Sequence, residues 1–293
     1  MNVPISRNDQ ADRLRAMTMG RRSKVISIGS GKGGVGKTNL AVNLAIALAR
    51  RGAQVVLVDA DLGLANVDVV LGLNPPYTLD HVVRGERTLR EVLVGGPLEI
   101  QVLPGASGLP EMADLHPAKR RYLLQELEGL EESTDILLID AAPGIGRQVL
   151  SFLLASDEVL IVTTPEPTAV TDAYALIKLL YRHPSCPEVR LVVNMARDLR
   201  DAQEVALKLG LVARHYLGRW VGMAGAVPLD PNLPLAVRRQ VPLVLSHPSS
   251  PASRAIAELA EVLLGSRPVK GTGWAARLGA PLAQEGGEAY PPA

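Results

Sequence analysis

The strongest constraint on how this chain folds is an eight-residue loop set between an apolar run and a helical pattern. Val25-Ile26-Ser27-Ile28 leads into Gly31-Lys32-Gly33-Gly34-Val35-Gly36-Lys37-Thr38, and Asn39–Arg51 then repeats apolar residues at helical spacing. The loop fits G-x-x-x-x-G-K-[ST] in the strand–loop–helix setting that the pattern requires. Its glycines let successive N–H groups converge on phosphate oxygens, and the helix start adds the positive end of its dipole. Lys37 would reach the β and γ phosphates of a nucleotide, and the Thr38 hydroxyl would ligate Mg²⁺.

The rest of the chain reads as the scaffold such a loop needs. Short apolar runs at Val55–Val58, Ile100–Leu103, Ile136–Ile139, Val159–Val162, Val189–Val193 and Met223–Val227 alternate with helical stretches. Those stretches are Pro117–Leu130, Thr168–Tyr181, Asp201–Leu211 and Pro251–Leu264. Continuously apolar strands are buried on both faces, so the pattern predicts an α/β, doubly wound, mostly parallel sheet flanked by helices. With 47% hydrophobic residues among 293 but only two Trp, six Tyr and one Phe, the core must rest on Val, Leu, Ile and Ala. The formal charge of +1 gives no overall drive towards nucleic acid, which is not expected as a partner. A single cysteine, Cys186, excludes a disulfide framework. No apolar run approaches the ~18–20 residues of a membrane span, and no secretory signal is evident.

The division expected is a polar, Arg-rich, mobile extension over 1–23, a P-loop domain over 24–265, and a weakly structured tail over 266–293. Within the domain, Asp59 and Asp61 stand at i, i+2 beyond the second strand, on one side of an extended chain. Ligands of open α/β sheets bind at those carboxyl ends, so one carboxylate can face Mg²⁺ and the other an attacking water. Ile136-Leu137-Leu138-Ile139-Asp140 is an apolar strand ending in an acid placed to hold Mg²⁺. No His or Cys is required, because phosphoryl transfer depends mainly on positioning and charge neutralisation.

Lys32, directly after the first glycine, carries a resemblance. Gly-Lys-Gly-Gly-Val-Gly-Lys-Thr resembles the deviant Walker A loop of the ParA/MinD ATPases, a match whose motifs span residues 24–247. The resemblance implies ATP and Mg²⁺ as substrate and cofactor, with hydrolysis slow until a second subunit or partner completes the site. It implies an ATP-dependent homodimer in which Lys32 reaches the phosphates held by the partner subunit. It makes Asp59 part of the metal's surroundings with Thr38 and Asp140, and gives Asp61 the positioning of the nucleophilic water. Gly144, in Ala141-Ala142-Pro143-Gly144-Ile145, would contact the γ-phosphate through its N–H. Asn39 would join the P-loop in holding the nucleotide, Asn194 would hydrogen-bond adenine, and Pro228 and Asp230 would add contacts to the base. The lone Cys186 argues against the family's iron–sulfur branch, whose clusters need paired cysteines.

The extension contains Asp9-Gln10-Ala11-Asp12-Arg13-Leu14-Arg15. This resembles the D-Q-A-x-x-L-R element of the FlhG/FleN (YlxH) flagellar-number branch, which stimulates an SRP-type GTPase, FlhF. Asp9, Gln10, Ala11, Leu14 and Arg15 are therefore the expected partner-binding residues. The string Asp59 to Asp68 is also closer to that branch, since MinD usually has Arg where Ala65 stands. The tail offers Trp274, Leu278 and Leu282 at i, i+4, i+8 with Lys270 and Arg277 nearby, a candidate membrane-contact segment. The expectation is a cytoplasmic ATPase, peripheral at the inner face of the cell membrane, that governs flagellar placement or number. Its alternatives are a MinD-type division-site or other placement ATPase and a nucleotide-dependent scaffold that does not hydrolyse.

Overall fold

A computed structural model describes residues 22–61, 67–105, 115–265 and 272–280. Asp9, Gln10, Ala11, Leu14 and Arg15 lie outside the described residues, as do 62–66, 106–114 and most of the tail. Eight strands form one sheet: β1 (Lys24–Gly29), β2 (Val55–Ala60), β3 (Val94–Gly95), β4 (Gln101–Leu103), β5 (Ile136–Ala141), β6 (Glu158–Thr163), β7 (Glu188–Ala196) and β8 (Gly222–Pro228). Their spatial order is β3-β4-β2-β5-β1-β6-β7-β8, parallel throughout except for β3 against β4. Every run read as a strand from the sequence forms one. The antiparallel β3 was not anticipated, because two residues carry no periodicity.

Among the helices are α1 (Lys37–Ala49), α2 (Val67–Leu71), α3 (Leu79–Val83), α4 (Leu89–Val92), α5 (Pro117–Glu132), α6 (Arg147–Ala155), α7 (Pro167–Arg182) and α8 (Leu199–Leu217). They continue with α9 (Asn232–Arg238), α10 (Leu243–Ser246), α11 (Pro251–Leu264) and α12 (Trp274–Leu278). The strands' own alternation divides the core. Ile26, Ile28, Leu57, Leu138 and Leu160 point to the face covered by α1 and α11. Val25, Val58, Leu137 and Ile139 pack with α5, α6 and α12, while Val159 and Ile161 pack with α6, α7 and α8. α1 is buried over ten of its thirteen residues, so it is apolar nearly all round rather than amphipathic.

The tail departs from expectation at α12. Trp274 is fully buried and Leu278 nearly so, both packed into the core with Leu123, Leu127 and Phe152. Gly273, the N-cap, has no side chain to bond the first turn, and Glu131 at the end of α5 takes that part. Its two carboxylate oxygens accept the N–H groups of Trp274 (2.8 Å) and Ala275 (3.1 Å). Sequence spacing read these apolar residues as a lipid-facing stripe; a distant carboxylate turns them inwards.

The same end of the sheet carries a buried ionic knot. Asp157, at the turn into β6, accepts the Val25 N–H (2.9 Å) and pairs with Arg22 (3.3 Å) and Arg277 (2.8 Å). It thereby ties the entry of the first strand to the last described helix. Asp157→Ala would leave two part-buried guanidinium groups and a buried N–H without it, which costs about 3 kcal/mol. At this chain length the melting temperature should fall by roughly 6–12 °C, measured by thermal unfolding of the nucleotide-free protein.

Candidate functional site

The site assembles where the central parallel strands end. β5 lies between β1 and β2, and its register sets Asp140 directly beside both Asp59 and Ile28. The loop from Gly31 to Thr38 leaves β1 at that edge and enters α1 at Lys37. Gly36 forms the N-cap at φ 82° and offers no side-chain acceptor, so the first-turn N–H groups of α1 remain for an anion. A side chain at Gly36 would also strike the Asn194 amide, and one at Gly31 would run into the backbone carbonyl of Asp172 on α7. The sequence requires glycine here for close approach as much as for dihedral freedom.

Lys37 and Asp140 meet inside this cradle. The Lys37 ammonium lies 3.2 Å from Asp140 Oδ1, and both side chains are buried. Burial raises the Asp140 carboxyl above its usual range, against the pull of the Lys37 charge and the Thr38 hydroxyl. Burial likewise pushes Asp59 up to about 7, with the Asp140 charge adding to it and the Asp61 N–H opposing it. That N–H donates to Asp59 Oδ1 at 3.2 Å. Two neighbouring carboxyls that resist ionisation are a place for added positive charge.

Asp140 Oδ2 is buried without a hydrogen-bond partner, and the Thr38 hydroxyl and Asp59 stand beside the same carboxyl. Hard oxygen donors around an unsatisfied oxygen fit Mg²⁺. Among the described residues no group of three His, Cys, Asp or Glu forms a metal cage. The ion would therefore complete its shell with phosphate oxygens and water, as Mg²⁺ at phosphate sites usually does.

Several site residues have partners that the sequence did not indicate. Lys32 bonds Glu166 (3.1 Å) and Thr168 (3.0 Å) of its own chain, at the start of α7. The Gly144 N–H, expected at a γ-phosphate, donates to the Ser30 carbonyl at 2.8 Å and so ties the segment after β5 to the root of the P-loop. Asn194 Nδ2 donates to the Val35 carbonyl at 2.8 Å. Asn39 Oδ1 is buried without a partner in a narrow cleft shared with Gly36, Asn43, Asn194, Val227 and Leu233. The sequence places Thr168 only at the start of a helix, and the contact of Glu166 and Thr168 with Lys32 carries no sequence signal.

Asp230 has partners of its own within the fold. Its Oδ1 accepts the Asn232 N–H and side-chain amide, each at 3.0 Å, and Oδ2 accepts the Ala252 N–H at 3.2 Å. Oδ1 thus holds the start of α9, and Oδ2 ties the loop after β8 to α11. Pro228 ends β8, and Leu229 behind it is left exposed.

Burial works to raise the Asp230 carboxyl, but the N–H groups of Asn232 and Ala252 and the Ser250 hydroxyl hold it below the usual range. A depressed acid stabilises the fold above its unfolded-state range, and the contribution is lost as pH falls through the folded-state value. Asp230→Asn turns an acceptor into a donor against the Ala252 N–H, or loses the Asn232 bonds if flipped. It should cost about 1–3 kcal/mol at pH 7. The difference from wild type should shrink by pH 3, as read from denaturant unfolding at the two pH values.

Comparison with known proteins agrees with this fold. Residues 23–184 match the family described as AAA domain, and residues 117–264 match the ParA family described as NUBPL iron-transfer P-loop NTPase. The chain is 44% identical over 238 residues to the antiactivator FleN of Pseudomonas aeruginosa, covering 81% of this chain and 85% of that protein. It is 38% identical over 204 residues to the flagellum site-determining protein YlxH of Helicobacter pylori, covering 67% and 69%. The septum site-determining protein MinD of Pyrococcus horikoshii, solved with Mg-ADP, superposes with a TM-score of 0.65 at 28% identity, covering 82% of this chain and 96% of that one.

Proposed function

The chain belongs to the ParA/MinD family of P-loop ATPases, and from that premise we propose that it is an ATP-driven dimerising switch governing the placement or number of flagella. As a family member it hydrolyses ATP with Mg²⁺. The observation that carries the flagellar reading is the 44% identity to FleN over four-fifths of the chain, together with the likeness to YlxH. The Asp9–Arg15 element supports it from the sequence.

In this reading Lys37 and the N–H groups at the start of α1 hold the phosphates. Asp59, Thr38 and Asp140 hold Mg²⁺, which neutralises charge on the phosphate oxygens when bound. Asp61 orients the attacking water beyond the γ-phosphate. When phosphate enters, the Lys37 ammonium exchanges the Asp140 carboxylate for phosphate oxygens, and the Gly144 N–H must leave Ser30 to reach them. Lys32 must likewise leave Glu166 and Thr168 to reach a second subunit. Its pair with Glu166 is solvent-exposed and contributes little, so the release is cheap.

Asp61→Ala should keep ATP binding and ATP-dependent dimerisation while lowering phosphate release about 10²-fold or more. Lys32→Ala should stay folded but fail to dimerise with a non-hydrolysable ATP analogue in sedimentation. If both variants match wild type in turnover and association, the roles proposed for Asp61 and Lys32 fall.

The N-terminal element is the proposed contact with an SRP-type GTPase, FlhF. In a helix, Ala11, Leu14 and Arg15 would fall within one turn, and Leu14 would supply the apolar anchor. A peptide of residues 1–23 should accelerate GTP hydrolysis by the cognate GTPase, and Gln10→Ala or Leu14→Ala should blunt that effect. The structural likeness to MinD favours a second reading, a division-site or other placement ATPase. An inert peptide beside a working ATPase would select it. No helix among the described residues is long and apolar enough to cross a membrane. Peripheral contact through 266–293 would need either α12 to undock or residues outside those described.

A further inference from the structure

Among the described residues four that are not glycine have a positive φ, and Met195 is the one that stands inside a strand. Its φ is +57°, a left-handed conformation that residues with a Cβ hold only when their surroundings impose it. The pairing of β7 with β8 steps from Asn194↔Val227 to Ala196↔Pro228, so Met195 is the extra residue of a bulge. Bulges bend a strand and re-aim the side chains beside them.

Three contacts depend on this one. Before the bulge, the Asn194 amide turns onto the P-loop and donates to the Val35 carbonyl at 2.8 Å. At the bulge, the Met195 Cε lies 3.3 Å from where a Cβ would stand on Gly36, so the thioether covers that left-handed glycine. After it, the Ala196 carbonyl accepts the Leu229 N–H at 2.9 Å and hangs the loop that follows β8. A carbonyl can only accept, so Val35 fixes which way round the Asn194 amide sits, leaving Oδ1 as its acceptor beside the second Nδ2 hydrogen. An acceptor there matches the exocyclic amino group of adenine and opposes the carbonyl of guanine.

We propose that Met195 is a positioning residue: its left-handed bulge aims the Asn194 amide, and through it sets the preference for adenine over guanine nucleotides. The proposal rests on the reading of Asn194 as the residue that faces the base. An unbranched thioether suits the position, because it can lie over a glycine from a backbone where a β-branched residue is most strained.

The test is titration of the full chain, with Mg²⁺, against fluorescent ATP and GTP analogues, alongside thermal unfolding. Met195→Val should bind ATP about tenfold more weakly, with GTP changed less than twofold, because strain of this kind is worth roughly one power of ten. Met195→Gly, which takes a positive φ freely, should recover most of that loss, and Asn194→Ala should abolish the discrimination. If Asn194→Ala keeps the wild-type ratio, the base-facing reading of Asn194 falls. If Asn194→Ala loses the ratio while Met195→Val keeps both affinity and ratio, that reading stands and the role of Met195 is overturned. An equal loss for both nucleotides would overturn it too, since Met195 would then shape only the phosphate loop. Should Met195→Val not fold, Met195→Ala, less strained than valine and lacking the thioether over Gly36, decides by the same ratio.

Discussion

The contact between Lys37 and Asp140 is the constraint around which the rest of the protein is arranged. A lysine and a carboxylate are costly to bury, and they persist here because each compensates the other at 3.2 Å. To bring them together, β1 and β5 must be parallel neighbours ending at one level, and α1 must start within a few residues of that edge. The doubly wound sheet satisfies all three demands. Asp59 then follows from register, because β2 pairs with β5 residue for residue. Asp59 and Asp140, both raised by burial, thus stand side by side where Mg²⁺ would add compensating charge.

At the opposite end of the sheet, Asp157 closes the fold. Its bonds to Val25, Arg22 and Arg277 join the chain's first strand to its last described helix. Glu131 holds the start of that helix while also forming an ion pair with the Arg22 guanidinium at 3.7 Å. Both termini of the described domain therefore meet at one buried cluster, far from the phosphate loop. Trp274, the largest fully buried side chain, depends on that cluster for its place.

Between these ends the contacts at the site look like those of a resting arrangement. Lys37, Lys32 and the Gly144 amide each have an intramolecular partner that the proposed phosphate contacts would replace. Exchange of such partners, one hydrogen bond for another, lets nucleotide reorganise the loop without exposing an unpaired charge. Asn194 differs, because its bond to Val35 lies within the loop's own frame and need not break.

The sequence by itself determined the P-loop, the run of parallel strands, and the carboxylates Asp59 and Asp140 at their ends. These signals are local: glycine spacing, continuous apolar runs and a carboxylate at the strand end each state their physics within a few residues. Only the tertiary structure decided that Asp230 anchors a loop, that Lys32 rests on Glu166, and that Trp274 and Leu278 face inwards. Each of those outcomes depends on a partner far away in sequence, Ala252 for Asp230 and Glu131 for Trp274 among them. Met195 shows the same division most sharply. Nothing in Val193-Asn194-Met195-Ala196 marks a left-handed residue, because the bulge exists only where β7 meets β8 and the P-loop together.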